Sequence, residues 1–261
     1  MPQQSPKTSI AANHGIQVPL RWRLPNPPAI FIGRTHDLGR LETMIKRGAV
    51  TVVTGPGGQG KSALVSQALA TRTVNHSVIR IGMRPSDTLA QLCVSILKAT
   101  FASVGRSARD WSDAAQSTSM LLSTLLEMAE SNDLIFVIED LHHGPEDEMD
   151  GFLILLHQYA ISSRWVVTTR RDPKLADLQE QIFHLGPLSL EDMYELGRRC
   201  RPDRADAELM DMARSAKGSP WRVRQILSGR DTERLDGTTL LEDLDERSAA
   251  LVRALALLEL P

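Results

Sequence analysis

Apolar positions along the chain follow two patterns that alternate up to about residue 187. Short, largely apolar runs that predict strands lie at 49–54, 77–82, 134–138 and 165–169, with a weaker run at 181–185, and the run at 134–138 is continuously apolar, as expected for a strand buried on both faces of a sheet. Between these runs, apolar residues return every three or four positions, which predicts helices with one buried face. The helical segments cover 30–48, 62–73, a long region that includes 119–130, and 150–160. Strands that alternate with helices predict an α/β fold with a parallel sheet.

The strand pattern stops after Pro187, and only helical patterns follow. Ser189 is a good N-cap for a helix at 190–199, with Asp192 in the capping-box position. Two further helices are predicted, at about 205–216 and from Pro220 to 228. We therefore expect a small helical domain after the α/β domain. The predicted division of the chain is a flexible arm at 1–28, an α/β domain at 29–187, a small helical domain at 188–230, and the beginning of another domain at 231–261.

Composition and charge narrow the classes of protein. The chain has 261 residues and a net charge of −2, so it has no overall attraction to nucleic acid or to an anionic membrane. No apolar run approaches the ~20 residues that span a bilayer. The two cysteines, Cys93 and Cys200, lie far apart and indicate neither a zinc site nor a disulfide framework. We expect a cytoplasmic protein that does not bind membranes and has no nucleic-acid partner through this module.

The strongest chemical signal is a glycine-rich loop between a predicted strand and a predicted helix. The segment 55-GPGGQGKS-62 matches the P-loop pattern G-x-x-x-x-G-K-[ST] in the required strand–loop–helix context. Glycine lets successive backbone N–H groups curl round a phosphate, the lysine bridges phosphates, and the serine hydroxyl is a ligand for Mg²⁺. We therefore predict binding of ATP or ADP with Mg²⁺. The predicted nucleotide-binding residues of the loop are Gly55, Gly57, Gly58, Gln59, Gly60, Lys61, Ser62 and Ala63.

Two acidic residues directly follow the predicted strand at 134–138. In P-loop enzymes an acid at this place holds Mg²⁺ through water, and the next acid polarises the attacking water. Glu139 and Asp140 occupy these places, which predicts catalytic roles for both and a metal role for Glu139 together with Ser62. The usual first residue is Asp, so we expect altered Mg²⁺ contact and slow hydrolysis. If Asp140 takes the metal role instead, Leu141 leaves no catalytic acid behind it.

Four further motifs resemble those of the STAND class of signal-transduction ATPases, which includes the NB-ARC switches. The segment 31-FIGRTHDLGRL-41 resembles the "hhGRExeL" motif, although Thr35 replaces the usual Glu. The segment 138-IEDLHH-143 resembles "DDxH", and 165-WVVTTRR-171 resembles "TTR". In the helical region, 218-GSP-220 resembles "GxP". Together with the P-loop, these motifs appear in the family's order over roughly residues 29–230.

The resemblance implies a P-loop NTPase fold of the AAA+-like type, a helical domain, and a winged-helix domain that begins near the end of the chain. It implies that Arg170 senses the γ-phosphate and that Pro220 packs near the adenine. Arg34 could also touch the nucleotide, with a solvated arginine as the alternative; a surface salt bridge is the alternative for Arg170. His142 either supports the acidic pair or packs beside it.

The function implied by the resemblance is an ATP/ADP-controlled switch in signal transduction. Such a switch hydrolyses ATP slowly, associates with itself in the ATP state, and acts on effector or sensor domains outside this chain. A DNA-associated, AAA+-like ATPase is one alternative, and a scaffold with ADP as a structural ligand is another. A small-molecule kinase is a third, although no segment resembles an acceptor site.

Overall fold

The computed structural model describes residues 18–70, 77–103, 117–131, 134–160 and 162–228. Five parallel strands form one sheet in the order β2-β3-β4-β1-β5. Their bounds are Val50–Thr54 (β1), Ser77–Gly82 (β2), Leu134–Glu139 (β3), Arg164–Thr169 (β4) and Ile182–His184 (β5). Every residue of β1 and β3 is buried, as the continuous apolar runs predict. The predicted α/β class with a parallel sheet is confirmed, and β5 is shorter than its apolar run.

Five helices accompany the sheet, and each of them has buried apolar residues. They are Thr35–Arg47 (α1), Lys61–Leu69 (α2), Leu89–Ser103 (α3), Thr118–Ser131 (α4) and Glu146–Tyr159 (α5). The single long helical region expected after β2 contains two helices, α3 and α4. Helix α5 begins before the predicted residue 150, because its first turn holds Glu146, Asp147 and Glu148, whose charges favour a helix N-terminus.

Three helices follow the sheet: Leu190–Cys200 (α6), Asp206–Ser215 (α7) and Pro220–Leu227 (α8). The Ser189 side chain accepts a hydrogen bond from the backbone N–H of Asp192, so the predicted cap is present. Pro220 opens α8, as expected for a residue without a backbone N–H. These helices have a core of their own. It consists of Leu188, Met193, Leu196, Leu209, Met212, Ala213, Ala216 and Val223.

Backbone contacts divide the chain into two units. Among the described residues, the first unit contains 18–28, His36–Gly55 and Lys61–Leu185, and the second contains Ala29–Thr35, Pro56–Gly60 and 186–228. The middle of the P-loop is thus grouped with the helices rather than with the sheet. Grouping follows spatial contact, whereas the predicted boundaries followed the order of motifs.

The predicted arm at 1–28 differs from the structure in its last part. Val18 is buried in the core of the first unit, and Trp22 packs against that core. Residues 1–17 lie outside the described residues, and so does the predicted winged-helix segment at 231–261. Of the helices in the described parts of the chain, none combines the length and hydrophobicity needed to span a membrane.

Candidate nucleotide-binding site

The sheet order places the predicted site residues at one edge. Strand β1 lies between β4 and β5, and β4 also pairs with β3. Because all strands are parallel, their carboxyl ends meet at the same edge, where open α/β sheets bind ligands. The P-loop follows β1, the acidic pair ends β3, and Arg170 follows β4.

The first turn of the P-loop requires glycine for reasons within the protein itself. Gly55 has a φ of 142°, and a Cβ there would lie 2.6 Å from the carbonyl oxygen of Leu185. The Lys61 ammonium donates a hydrogen bond of 2.7 Å to the Gly55 carbonyl. Lys61 also begins α2, followed by exposed Ser62 and half-buried Ala63. The lysine and the serine therefore stand at the amino end of a helix, where the backbone attracts anions.

The middle of the loop is held within the second unit. Gly58 and Gly60 have φ values of 77° and 92°, which are left-handed conformations that favour glycine. The Gly58 carbonyl accepts hydrogen bonds from Ser219 Oγ at 3.1 Å and from the backbone N–H of Trp221 at 3.3 Å. Pro220, between these two donors, lies with its Cγ 4.0 Å from where a Cβ of Gly60 would be. Ser219 within the "GxP" segment and Trp221 directly after it thus hold the loop, and the sequence motif alone does not reveal these contacts.

Arg34 supports the same part of the loop. Its Nη2 donates to the carbonyl oxygens of Gly186 at 2.7 Å and Gln59 at 3.4 Å. Arg34 is only 7% exposed, so the alternative of a solvated arginine is wrong. The buried side-chain oxygen of Gln59 has no hydrogen-bond partner within the described parts of the chain. A buried polar atom without a partner indicates a position where a ligand or water completes the structure.

The two acidic residues at the end of β3, Glu139 within the strand and Asp140 directly after it, have different surroundings. Glu139 is buried and forms an ion pair with Arg80 of β2. Asp140 is about half exposed and has a φ of 57°, and its backbone N–H donates to Thr168 Oγ1 at 3.2 Å. Arg80 is not among the predicted site residues, although an arginine within the largely apolar segment 77-SVIRIG-82 signals a charge that needs a partner.

Five polar groups of the first unit interact electrostatically at the carboxyl edge. Burial lowers the pKa of Lys61, Asp140 opposes this, and the like charge of Arg170 lowers it further. The pKa of His142 is lowered first by burial and next by the neighbouring His143 ring, against the opposing effect of Asp140. His142 Nδ1 lies 3.9 Å from Asp140 Oδ1, and neither ring nitrogen has a hydrogen-bond partner among the described residues.

The two arginines after β4 have separate roles. Arg170 is exposed, and its side chain forms no hydrogen bond or ion pair with any described residue. Arg171 instead contacts Glu146 at 3.0 Å and Asp150 at 3.1 Å, both in α5. The salt bridge considered for Arg170 is therefore made by its neighbour, and Arg170 is left available to a ligand.

These residues suit a phosphate chain with a divalent cation. Within the first unit, Gly55 opens the start of the loop, Lys61 and Arg170 supply positive charge, and a carboxylate and a hydroxyl supply the hard oxygen ligands that Mg²⁺ prefers. The positive charges of Lys61 and Arg170 repel each other, and an anion bound between or beside them would stabilise both.

The fold is that of P-loop NTPases, and comparisons with known proteins agree with it. A family model described as an AAA domain matches residues 44–173. The comparison with curated protein sequences found no match. The matched segment contains the P-loop, the acidic pair and Arg170. Together, the fold and this match support a P-loop ATPase module.

Several solved structures are similar. A signal transduction ATPase with numerous domains (STAND) and a tetratricopeptide-repeat sensor, from Pyrococcus horikoshii, has 20% identity and a TM-score of 0.55, covering 86% of this chain and 34% of that chain. Cdc6p from Pyrobaculum aerophilum has 14% identity and a TM-score of 0.60, and the match covers 81% of this chain and 62% of the Cdc6p chain. The ORC1 protein of Aeropyrum pernix, solved in complex with DNA, has 15% identity and a TM-score of 0.56, and the match covers 87% of this chain and 66% of the ORC1 chain.

At such identities the likeness concerns the fold alone. The chain spans 34% of the Pyrococcus protein and 62% of the Cdc6 protein. The STAND protein, Cdc6p and ORC1 all share the architecture, so the fold does not distinguish between their roles.

Proposed function

We propose that the chain is the nucleotide-binding module of a STAND-type signal-transduction ATPase. It binds ATP or ADP with Mg²⁺, hydrolyses ATP slowly, and couples the bound nucleotide to conformational change and self-association. The observation that carries the proposal is that Arg170, at the same sheet edge as Lys61, has no hydrogen-bond or ion-pair partner among the described residues. The ordered motifs and the likeness to the Pyrococcus STAND protein support it.

Arg170 is the residue that distinguishes ATP from ADP. A ligand shifts a conformational equilibrium only by contacts that differ between the two states. Lys61 belongs to the loop that receives the phosphates common to both nucleotides, whereas Arg170 follows a neighbouring strand and is proposed to meet the γ-phosphate. Its planar guanidinium suits bidentate contact with phosphate oxygens.

The remaining roles follow from chemistry and from the family resemblance. Ser62 and one carboxylate of the acidic pair would hold Mg²⁺, which neutralises the phosphates and supplies electrostatic catalysis when bound. Pro220 is proposed to pack near the adenine, and its position close to Gly60 of the P-loop supports this role. Hydrolysis is slow because Glu139 replaces the usual Asp and Leu141 follows Asp140. Sensor and effector domains would lie outside this chain.

The test is to measure molecular mass by light scattering in the presence of ADP or a non-hydrolysable ATP analogue, with nucleotide affinity measured by calorimetry. We expect a larger mass with the ATP analogue. Lys61→Ala should lower affinity for both nucleotides by about 10- to 100-fold, since hydrogen bonds to charged groups contribute about 1.5–3 kcal/mol. Arg170→Ala should keep ADP affinity and lose the ATP-dependent increase in mass.

Matched controls come from two exposed cations in the last turn of α1, Lys46 and Arg47. Lys46→Ala and Arg47→Ala remove the same charges away from the sheet edge and should leave both affinities and the mass unchanged. Normal ATP-dependent association by Arg170→Ala would refute its sensor role. Undiminished affinity in Lys61→Ala would refute the binding site itself.

A DNA-associated ATPase is the second candidate, favoured by the likeness to Cdc6p and ORC1. Steady-state ATPase rates with and without duplex DNA separate the two functions. Stimulation by DNA would favour the second candidate. A rate that DNA does not change, together with nucleotide-dependent association, supports the switch; nucleotide binding without any turnover or association would indicate a scaffold.

A further inference from the structure

A partly buried ion pair involves Glu139, the last residue of β3. Arg80 Nε donates to Oε2 of Glu139, and Nη2 of the same guanidinium contacts the same oxygen. Strands β2 and β3 are parallel neighbours, with Arg80 opposite Val137 and Gly82 opposite Glu139. Residues two apart in a strand share a face. Arg80 and Glu139 are therefore diagonal neighbours on one face of the sheet.

The surroundings favour this pair over other partners for the carboxylate. The side chain of Glu139 is 6% exposed and that of Arg80 is 33% exposed. Gly82, opposite Glu139, has no side chain, and a Cβ there would lie 3.9 Å from Arg80 Nη2. The guanidinium thus occupies the space that a larger residue would fill. Separating a buried, hydrogen-bonded charge pair is costly, because each charge would be left without compensation away from water.

Asp140 has the opposite character. Its side chain is 48% exposed, and its charge acts on Lys61 and on His142. Its left-handed backbone, with a φ of 57°, is uncommon for a residue with a side chain, although Asp tolerates it better than most. Such conformations cost energy and are kept where the surroundings fix them, often at functional sites. The exposed carboxylate of Asp140 is therefore available at the end of β3, where its charge acts on the P-loop lysine.

We propose that Arg80 makes Glu139 a structural residue and that Asp140 is the carboxylate that serves Mg²⁺ in the nucleotide site. This inference rests on the proposed nucleotide-binding function and reverses the roles that the motif order assigns to the two acids. Arg80 is a positioning residue in this account, because it acts only through Glu139. Since Leu141 follows Asp140, the end of β3 supplies one working carboxylate instead of two, which gives slow turnover a physical cause.

The test compares Glu139→Gln with Asp140→Asn, two isosteric changes that each remove one charge. Asn also tolerates the left-handed backbone at position 140. For each protein, ATP affinity is measured by calorimetry with saturating Mg²⁺ and with EDTA, and the ratio gives the Mg²⁺ enhancement. Asp140→Asn should reduce this enhancement by about 10- to 100-fold, as losses of metal-supporting groups do. Glu139→Gln should reduce it by less than about threefold.

The stability of the nucleotide-free protein should rank the two variants in the reverse order, with Glu139→Gln the more affected. Glu139→Gln should lower the urea midpoint of unfolding, because it leaves Arg80 without its partner charge, and Asp140→Asn should leave the midpoint near that of the wild type. If Glu139→Gln does not fold, the double variant Arg80→Gln/Glu139→Gln replaces it, since it removes both buried charges together. The double variant should fold and keep the Mg²⁺ enhancement.

Two outcomes overturn the inference, and a third overturns its foundation. Loss of the Mg²⁺ enhancement in Glu139→Gln or in the double variant would return the metal role to Glu139. An unchanged enhancement in Asp140→Asn would remove Asp140 from the metal site. If the wild-type protein does not bind ATP at all, the proposed nucleotide function fails, and the inference fails with it. Binding by the wild type therefore separates failure of the inference from failure of the function.

Discussion

Replacing Gly55 by alanine tests whether the P-loop glycine is demanded by the protein as well as by a ligand. A Cβ at this position would lie 2.6 Å from the Leu185 carbonyl oxygen, whereas carbon–oxygen contacts are normally no shorter than about 3.3 Å. Leu185 cannot easily retreat, because its backbone N–H donates to the Thr54 carbonyl at 2.9 Å in continuation of the β1–β5 pairing. The φ of 142° is a second penalty for any residue with a side chain.

The expected magnitude combines two terms. Backbone strain of this kind costs about 1–3 kcal/mol, and overpacking a close contact costs about 1–3 kcal/mol more. We therefore expect Gly55→Ala to lower the free energy of unfolding by about 2–6 kcal/mol, a large part of the total for a domain. The assay is urea denaturation followed by circular dichroism, without nucleotide, so that the loss reflects packing and not ligand affinity.

Gly39 provides the matched control. It lies within α1, and a Cβ there would have no neighbour within 4 Å. Gly39→Ala should raise stability by about 0.5–1 kcal/mol, because alanine favours a helix more than glycine does. If Gly55→Ala unfolds at the same urea concentration as the wild type, the conclusion that the Leu185 carbonyl leaves no room for a side chain at position 55 is wrong.

Two further predictions concern the loop after β4 and the cysteines. Arg171→Ala should lower ATP affinity by about tenfold with little effect on ADP affinity, because the ion pairs from Arg171 to α5 fix the segment next to Arg170. The control is Arg199→Ala, which removes an exposed ion pair in α6 and should change neither affinity. Equal ATP affinity in the two variants would contradict the supporting role of Arg171. Burial raises the pKa of the Cys93 thiol to about 12, whereas Cys200 is half-buried. A thiol reagent should therefore modify only Cys200 in the folded protein and both thiols in urea. Rapid modification of Cys93 in the folded protein would contradict its burial.

Local patterns in the sequence were sufficient for the strands, for most helix boundaries and for the P-loop. A buried parallel strand needs apolar residues on both faces, and this leaves a continuous run such as 134-LIFVI-138. The cap at Ser189 and the helix start at Pro220 depend on residues within one turn. The P-loop is likewise a contiguous segment, so its glycines, lysine and serine can be recognised without knowing what surrounds them.

Only the tertiary structure decided what the charged residues of the site contact. Arg80 and Glu139 are 59 positions apart, and they meet because β2 is the neighbour of β3, an order that periodicity does not contain. Arg170 and Arg171 are adjacent and chemically identical, yet the position of α5 engages one and leaves the other exposed. A side chain's propensity is local, but its partner is chosen by the packing of segments distant in sequence. For this protein, sequence therefore determined the fold class and the phosphate loop, and tertiary packing determined which charges are left for a ligand.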